Sequence, residues 1–348
     1  GPVMAKGIED TAFYRWHRLV ALNEVGGDPD LLDDGSAEQM HAWAAHQQEH
    51  WPLGLTTLST HDTKRSEDVR ARLLALAGDA ESWRRVSEAF WAAAGDLQVD
   101  LPTAHLVWQT LAGVGEIDEE RLTGYLTKAM RESKQRTSWL ESDADYEARV
   151  LALAARGREP GELRTLVAMA MDSNEQAVRS LVLGQKLLQL TLPGVPDIYQ
   201  GCETVDLSLV DPDNRRPVDY AGRQERLDHV RKHPPRDLDD EKLLVTHRAL
   251  SLRRDLRGSF GDGGDYLPLA GTSRHLVGFV RGGDVATLVT RAPQRLEVAG
   301  GWAGETVTLP AGQWRDELTG AFHSSTEIRC ADLFDALPVA LLRRVEVA

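Results

Sequence analysis

The chain has 348 residues, enough for two ordinary domains or for a large α/β barrel part with a smaller appendage, and a core of that size needs no covalent staples. Its 54 Asp and Glu against 40 Lys and Arg give a formal charge of −14, which argues against a nucleic-acid or membrane-surface binder, since both need a basic face. Cys202 and Cys330 are the only cysteines. Two cannot make a disulfide framework, and they fit a reducing compartment, with the cytoplasm as default. The longest apolar stretch, around Leu181 to Val195, is broken by Gln185, Lys186 and Gln189 and falls short of the roughly 20 residues a membrane span requires. The first seven residues carry no export pattern and no starting Met. Nine of the aromatic residues are Trp; indole faces stack on sugars, although Trp is more often a core filler.

Residues 1–65 read as strand and loop material with short helices. Val3-Met4-Ala5 is one short apolar run, and Leu53 to Leu58 is another, ending in Ser59-Thr60-His61-Asp62. From Ser66 the period becomes helical: Val69, Leu73, Leu76 and Ala77 share a face, with Ser66 as N-cap, Glu67 and Asp68 in the first turn and Gly78 closing it. Further stripes run through Trp83, Val86, Phe90 and Ala94, and through Leu122, Leu126, Ala129 and Met130. Helical stretches near 142–155 and 173–191 follow, the second with Ser173 and Gln176 as a capping-box candidate. Residues 66–192 are thus mostly helix. Pro193 to Gly201 reads as turn, short strand and turn, and a polar stretch runs to about 237. A helix near 239–256 precedes a last region, from about 262, of short alternating segments that signal a small all-β domain.

The densest polar cluster, Ser59 to Asp68, lies between a strand and a helix. In a barrel of alternating strands and helices, catalytic groups sit at the C-terminal ends of strands, which makes His61 and Asp62 prime candidates, against the plainer reading of a hydrogen-bonded turn. No metal site emerges from the His and Cys spacing. Asp211, Asp213 and Asn214 suggest a calcium loop only superficially, because the Gly and terminal Glu of an EF-hand are missing. There is no Gly-rich phosphate loop.

Ser59 to Arg72, STHDTKRSEDVRAR, resembles the last signature segment of the α-amylase superfamily (glycoside hydrolase family thirteen). In its extended form it resembles that superfamily's maltooligosyl trehalose synthases. Three further blocks agree: residues 4–29, residues 133–147, and the pair 192–203 and 209–220. The resemblance covers essentially the whole chain and implies an α/β fold: the C-terminal part of a (β/α)8 TIM barrel with a helical insertion, followed by a small all-β sandwich. The implied divisions are 1–77 for part of the barrel with its active-site loops, 78–170 for the insertion, 171–257 for the last barrel strand and helices, and 258–348 for the sandwich.

The activity implied is a retaining rearrangement in which the reducing-end α-1,4 link of a maltooligosaccharide becomes an α,α-1,1 link, without a cofactor. Retaining chemistry needs a carboxylate nucleophile and a carboxylic acid about 5–5.5 Å apart, with hydrogen bonds to ring hydroxyls that tighten in the transition state. By resemblance Asp62 is the third carboxylate that stabilises the transition state, His61 shares its hydroxyl contact, and Lys64 orients the glucose that must be retained. Lys6, Glu9, Asp10, Arg15, Asn23 and Glu24 match the block that builds the reducing-end pocket. Lys134, Thr137 and Trp139 match a second block, and Asp211, Asp213, Asn214, Arg215 and Arg216 the loop after the eighth strand. For each, a salt bridge within the loop or a place in the core competes.

The family's nucleophile and general acid sit upstream of the His-Asp segment, and neither motif is found in the 60 residues before it. Arg226-Leu227-Asp228-His229 imitates the nucleophile signature downstream, in a charged run with no strand before it, where a solvated helix face suffices. The expectation is therefore a C-terminal half that begins near the sixth barrel strand, inactive alone, whose partners are a maltooligosaccharide and the N-terminal half of the same enzyme. A related α-glucan hydrolase and a non-catalytic carbohydrate-binding or assembly half are the alternatives.

Overall fold

The computed structural model describes residues 5–25, 27 and 36–345, with backbone alone for residues 5 and 6. Val3 and Met4 lie outside the described residues, and Ala5 opens a π-helical segment, Ala5–Glu9. The chain folds into two compact units, each assembled from separated stretches: Gly1–Leu31, Ser59–Glu175 and Asp206–Pro217 in the first, Leu32–Leu58, Gln176–Val205 and Val218–Ala348 in the second.

The first unit is helical. Glu67–Ala77, Ala80–Leu97, Leu101–Val114, Glu119–Ser133, Ala144–Arg158 and Glu162–Asp172 are its long helices. The expected stripes face inward: Val69, Leu73, Val86, Phe90, Ala94, Leu122 and Leu126 are all buried. Leu101–Val114 is buried from Thr103 through Val114 except for half-buried His105, as befits a helix that is apolar all round. At Gly157 a Cβ would stand 2.5 Å from Leu111 Cδ1 and 2.8 Å from Phe90 Cζ, so a larger residue there would require those buried side chains to shift.

Four successive helices start on aspartate caps. The carboxylates of Asp79, Asp100, Asp118 and Asp143 accept from the backbone N–H groups of Ser82, Thr103, Arg121 and Tyr146. Two expected caps are corrected. Ser66 occupies the N-cap of Glu67–Ala77, but its hydroxyl donates to the Asp206 carbonyl, and Ser59 Oγ accepts from the Glu67 N–H at 3.0 Å instead. Ser173 is not the start of a capping box: it ends the Glu162–Asp172 helix, and its hydroxyl donates back to the Met169 carbonyl at 2.8 Å.

The second unit combines helices with all the strands. β1 (Leu55–Thr57) pairs in parallel with β2 (Val195–Asp197), Leu55 opposite Val195. Among the described residues this is the only parallel pair. The helix Glu175–Thr191 precedes β2, and Arg253 donates to the carbonyls of Leu190 and Gly194 at its end. After β2 come the helices Tyr220–Val230 and Leu238–Asp255. The first of these lies in the stretch expected to be merely polar, and it carries the Arg226 to His229 run. Arg226 pairs with Asp237 and Asp240, which accords with a structural face.

The last region holds β3 (Tyr266–Pro268), β4 (Leu276–Arg281), β5 (Val285–Thr290), β6 (Thr306–Thr308), β7 (Gln313–Asp316), β8 (Phe322–His323), β9 (Glu327–Arg329) and β10 (Val339–Val345). Six form one antiparallel sheet in the order β3-β4-β5-β10-β7-β8, and β6 pairs with β9 in a separate ribbon. Every residue of β4 and β5 is buried because both faces are covered. Val277, Val285, Val289, Val339 and Leu341 pack with Leu183, Leu187, Val245 and Leu252 of the helices. Leu276, Val280, Ala286, Leu288, Ala340 and Leu342 pack with Val307 and Ile328 of the ribbon.

Within residues 1–65, read as strand and loop with short helices, one helix is longer than expected: Ala37–His50, of 14 residues. Only Ala44 on it is fully buried, so it shows no apolar stripe, and tertiary bonds hold it. Gln48 donates to the Gly261 carbonyl at 3.0 Å, and the His41 ring meets Tyr266 Oη at 2.7 Å.

Candidate functional site

Six of the expected site residues, Asp10, Glu24, His61, Asp62, Lys64 and Asn214, meet in the first unit at the turn that follows β1 in the chain. Thr60 and Thr63 build it: Thr60 Oγ1 accepts from the Asp62 and Thr63 N–H groups, and Thr63 Oγ1 donates to the Thr60 carbonyl at 2.8 Å. Such side-chain closure is what short hydroxyl residues do in tight turns. It leaves His61 exposed and Asp62 partly exposed, while Thr63, Lys64 and Arg65 turn inward.

Lys64 is the centre of the arrangement. Its side chain is 2% exposed, and Nζ lies 2.8 Å from Asp10 Oδ1, 3.4 Å from Asp62 Oδ1 and 3.0 Å from the Asp62 carbonyl. The Lys64 N–H donates to Glu24 Oε2, which also faces Arg70 at 3.2 Å. Burial pushes the Glu24 carboxyl above its ordinary pKa, with Arg70 and Lys64 opposing. The turn is held from beneath by buried Asn214, whose Nδ2 donates to the carbonyls of Thr60 and His61 at 3.2 and 2.9 Å. Arg65 donates to Tyr125 Oη at 2.6 Å inside the unit, and Ser66 N–H donates to the Ser208 carbonyl. The result is a partly open carboxylate, Asp62, fixed beside a buried ammonium: a group that can accept hydrogen bonds from sugar hydroxyls while its own position is set.

The other expected residues divide. Asp10, Glu24 and Asn214 are drawn to the turn. Asn23 is buried and donates to the carbonyls of Phe13 and Trp16, so it shapes its own loop. Arg15 donates to the Ser133 carbonyl at 2.6 Å, next to Lys134, which takes a left-handed conformation at the end of Glu119–Ser133. Thr137 is buried and donates to Glu147, whereas Trp139 is 56% exposed, lies under the Arg131 guanidinium and donates to Glu132. Asp211 and Arg215 pair with each other, and Asp213 accepts from Arg121 at 2.7 Å and pairs with Arg216. Glu9 is half-buried; the side chain of Lys6 lies outside the described residues. Arg70 was missed, although it falls six residues beyond Lys64 in the same segment.

Among the described residues no cluster of His, Cys, Asp and Glu could hold a metal, and no helix is long and apolar enough to cross a membrane. Cys202 and Cys330 are both buried, and burial pushes the Cys330 thiol up to about 11.

No family model matches the chain. A Mycobacterium tuberculosis protein named as a maltooligosyl trehalose synthase is 43% identical over 357 aligned positions, covering 99% of this chain and 44% of the relative. The structure of maltooligosyltrehalose synthase from Arthrobacter ramosus superposes with a TM-score of 0.91 at 42% identity, covering 99% of this chain and 45% of that one. A Sulfolobus tokodaii structure described as a hypothetical maltooligosyl trehalose synthase gives a TM-score of 0.81 at 27% identity, over 98% of this chain and 46% of that one. The chain therefore spans less than half the length of the relatives it matches, in their C-terminal part. On sequence and fold together, this chain matches the C-terminal part of proteins named maltooligosyl trehalose synthases over nearly its whole length.

Proposed function

We propose that the chain supplies the reducing-end side of the active site for intramolecular transglucosylation, the conversion of the terminal α-1,4 link of a maltooligosaccharide to an α,α-1,1 link. The observation that carries this reading is that Asp10 joins Asp62 and Lys64 of the segment that resembles the family's signature in one cluster. In this reading Asp62 accepts hydrogen bonds from ring hydroxyls and favours distortion toward the oxocarbenium-like transition state, an effect of several kcal/mol in glycoside cleavage. His61, exposed next to it, shares that contact. Lys64, held by Asp10, fixes Asp62 and the floor of the pocket that retains the released glucose, and Glu24 tethers the Lys64 backbone. Nucleophile and general acid come from the N-terminal half of the same enzyme, which makes that half the chain's partner. The chemistry needs no cofactor.

In the fold this reading assigns, β1 and β2 are the seventh and eighth strands of a (β/α)8 barrel. Their parallel pairing across a long helical crossover supports it. The first unit's helices form the insertion between them, and β3–β10 the C-terminal β domain.

The test is Asp62→Asn in a protein that joins this chain to the missing part of its relatives. Trehalose-linked product from maltopentaose should fall by at least about a hundredfold, about 2.7 kcal/mol of transition-state stabilisation, with the melting temperature unchanged. Near-normal turnover refutes the assignment.

A further inference from the structure

We propose that the first unit carries a second ligand site, a cavity centred on Arg72 that takes a small polyhydroxylated anion: a sugar bearing a phosphate or a carboxylate. The cavity has a volume of about 600 Å³, within the range of small-molecule pockets. It is lined by Arg72, by the Gly115–Asp118 turn that follows the Leu101–Val114 helix, and by Arg158, Arg164 and Asp172. No residue assigned above to the glucan site lines it, so the two proposals stand or fall separately.

Arg72 carries the argument. Its Nε and Nη2 both donate to one acceptor, the Ala112 carbonyl, at 3.2 and 3.1 Å. That carbonyl belongs to the last turn of its helix, where backbone acceptors have no partner in the helix. Nη1 has no hydrogen-bond acceptor, and no carboxylate stands within ion-pair distance of Arg72, among the described residues. Burial pulls its pKa down, against the attraction of Asp172 and Asp68. A guanidinium stays charged in proteins, and a partly desolvated cation that no carboxylate contacts directly favours an anionic ligand. Gly115 keeps the wall open: it has φ +68°, and a Cβ there would stand 3.4 Å from Arg72 Nη2.

The rest of the lining narrows the class. Arg158 and Arg164 pair with Glu119 and Glu116 at 3.1 and 3.2 Å, but those carboxylates are 79% and 94% exposed. Pairs of that kind contribute little and can be exchanged for a ligand anion. Arg121 is different, being held by Asp213 on two bonds. Asp118 and Asp172 can accept hydrogen bonds from hydroxyls while repelling a densely charged polyanion. No aromatic side chain lines the cavity, so a plain glucan has nothing to stack on, and the charged group must supply the affinity.

Calorimetric titration of the 348-residue chain with glucose 6-phosphate and with gluconate tests this, with glucose and inorganic phosphate as comparators. One of the two sugar anions should bind saturably at one site, at least about tenfold more tightly than either comparator, and which of them binds identifies the charged group. Arg72→Gln should weaken that binding at least about tenfold, and Arg164→Gln, at an exposed position that folding does not need, several-fold. Three results each overturn the proposal: no saturable binding of either sugar anion up to about 10 mM, equal binding of glucose or phosphate, or affinity unchanged in both variants while the chain stays folded by circular dichroism.

Discussion

Lys64 shows how one residue links packing to function. A fully buried lysine is rare unless paired, and here the ammonium sits between Asp10 and Asp62, two carboxylates that would otherwise repel. Lys64→Met keeps the apolar stem and removes only the charge. Breaking a buried pair this way costs roughly 3–5 kcal/mol; because Asp62 is 27% and Asp10 16% exposed, the low end applies. The expected outcome is a drop in melting temperature together with misplacement of Asp62. In the full-length enzyme, hydrolysis should therefore rise relative to isomerisation as glucose escapes. A product ratio like that of the unsubstituted enzyme would show that Lys64 is only structural. The segment that holds Lys64 was legible in the sequence because its residues are contiguous. Its partners Glu24 and Asn214 lie 40 and 150 residues away, and no local pattern encodes that they meet at its backbone.

At the scale of the element, the helices of the first unit depend on their first turns. Asp100 accepts from the Thr103 N–H and hydroxyl, and from Tyr146 Oη at 2.6 Å. Burial pushes the Asp100 carboxyl up, but the bonds from Tyr146 and Thr103 outweigh it, so its pKa lies below the ordinary value; Asp79 is likewise lowered. A carboxyl depressed in the folded state stabilises the fold above its unfolded pKa, about 3.9, and that contribution fades as the pH falls through the depressed value. Asp100→Ala should cost about 1–2 kcal/mol at neutral pH and flatten the acid side of the melting curve below about pH 4. An unaltered acid slope would contradict this. The caps went unread because apolar periodicity marks helix bodies rather than their ends, and Asp is common in loops as well. The length and place of the Ala37–His50 helix went unread for the opposite reason: it has bonds to hold it but no continuous apolar stripe to announce it. The last region was legible as short strands but read as alternating ones, whereas every residue of β4 and β5 is buried, because the layers on their two faces come from segments far apart in the chain.

For the molecule as a whole, the β1–β2 pair decides what the chain can do alone. Two short parallel strands make an incomplete element: isolated pairs are marginal, and parallel sheets ordinarily have both faces covered. Leu55 is 82% and Val195 40% exposed on this pair, apolar positions that a longer sheet would bury. The relatives are more than twice as long as the part matched here, and the proposed nucleophile and general acid belong to that remainder. The chain alone should therefore yield no trehalose-linked product from maltopentaose. Mixed with a separately expressed N-terminal half, it should recover activity that rises with the concentration of either part and saturates, as association requires. Two measurements separate the possibilities: product formation, and protection of Leu53 to Leu58 from hydrogen exchange on mixing. Protection together with activity supports the shared site. Product from the chain alone would place the acid and nucleophile within these 348 residues and overturn the assignment of roles.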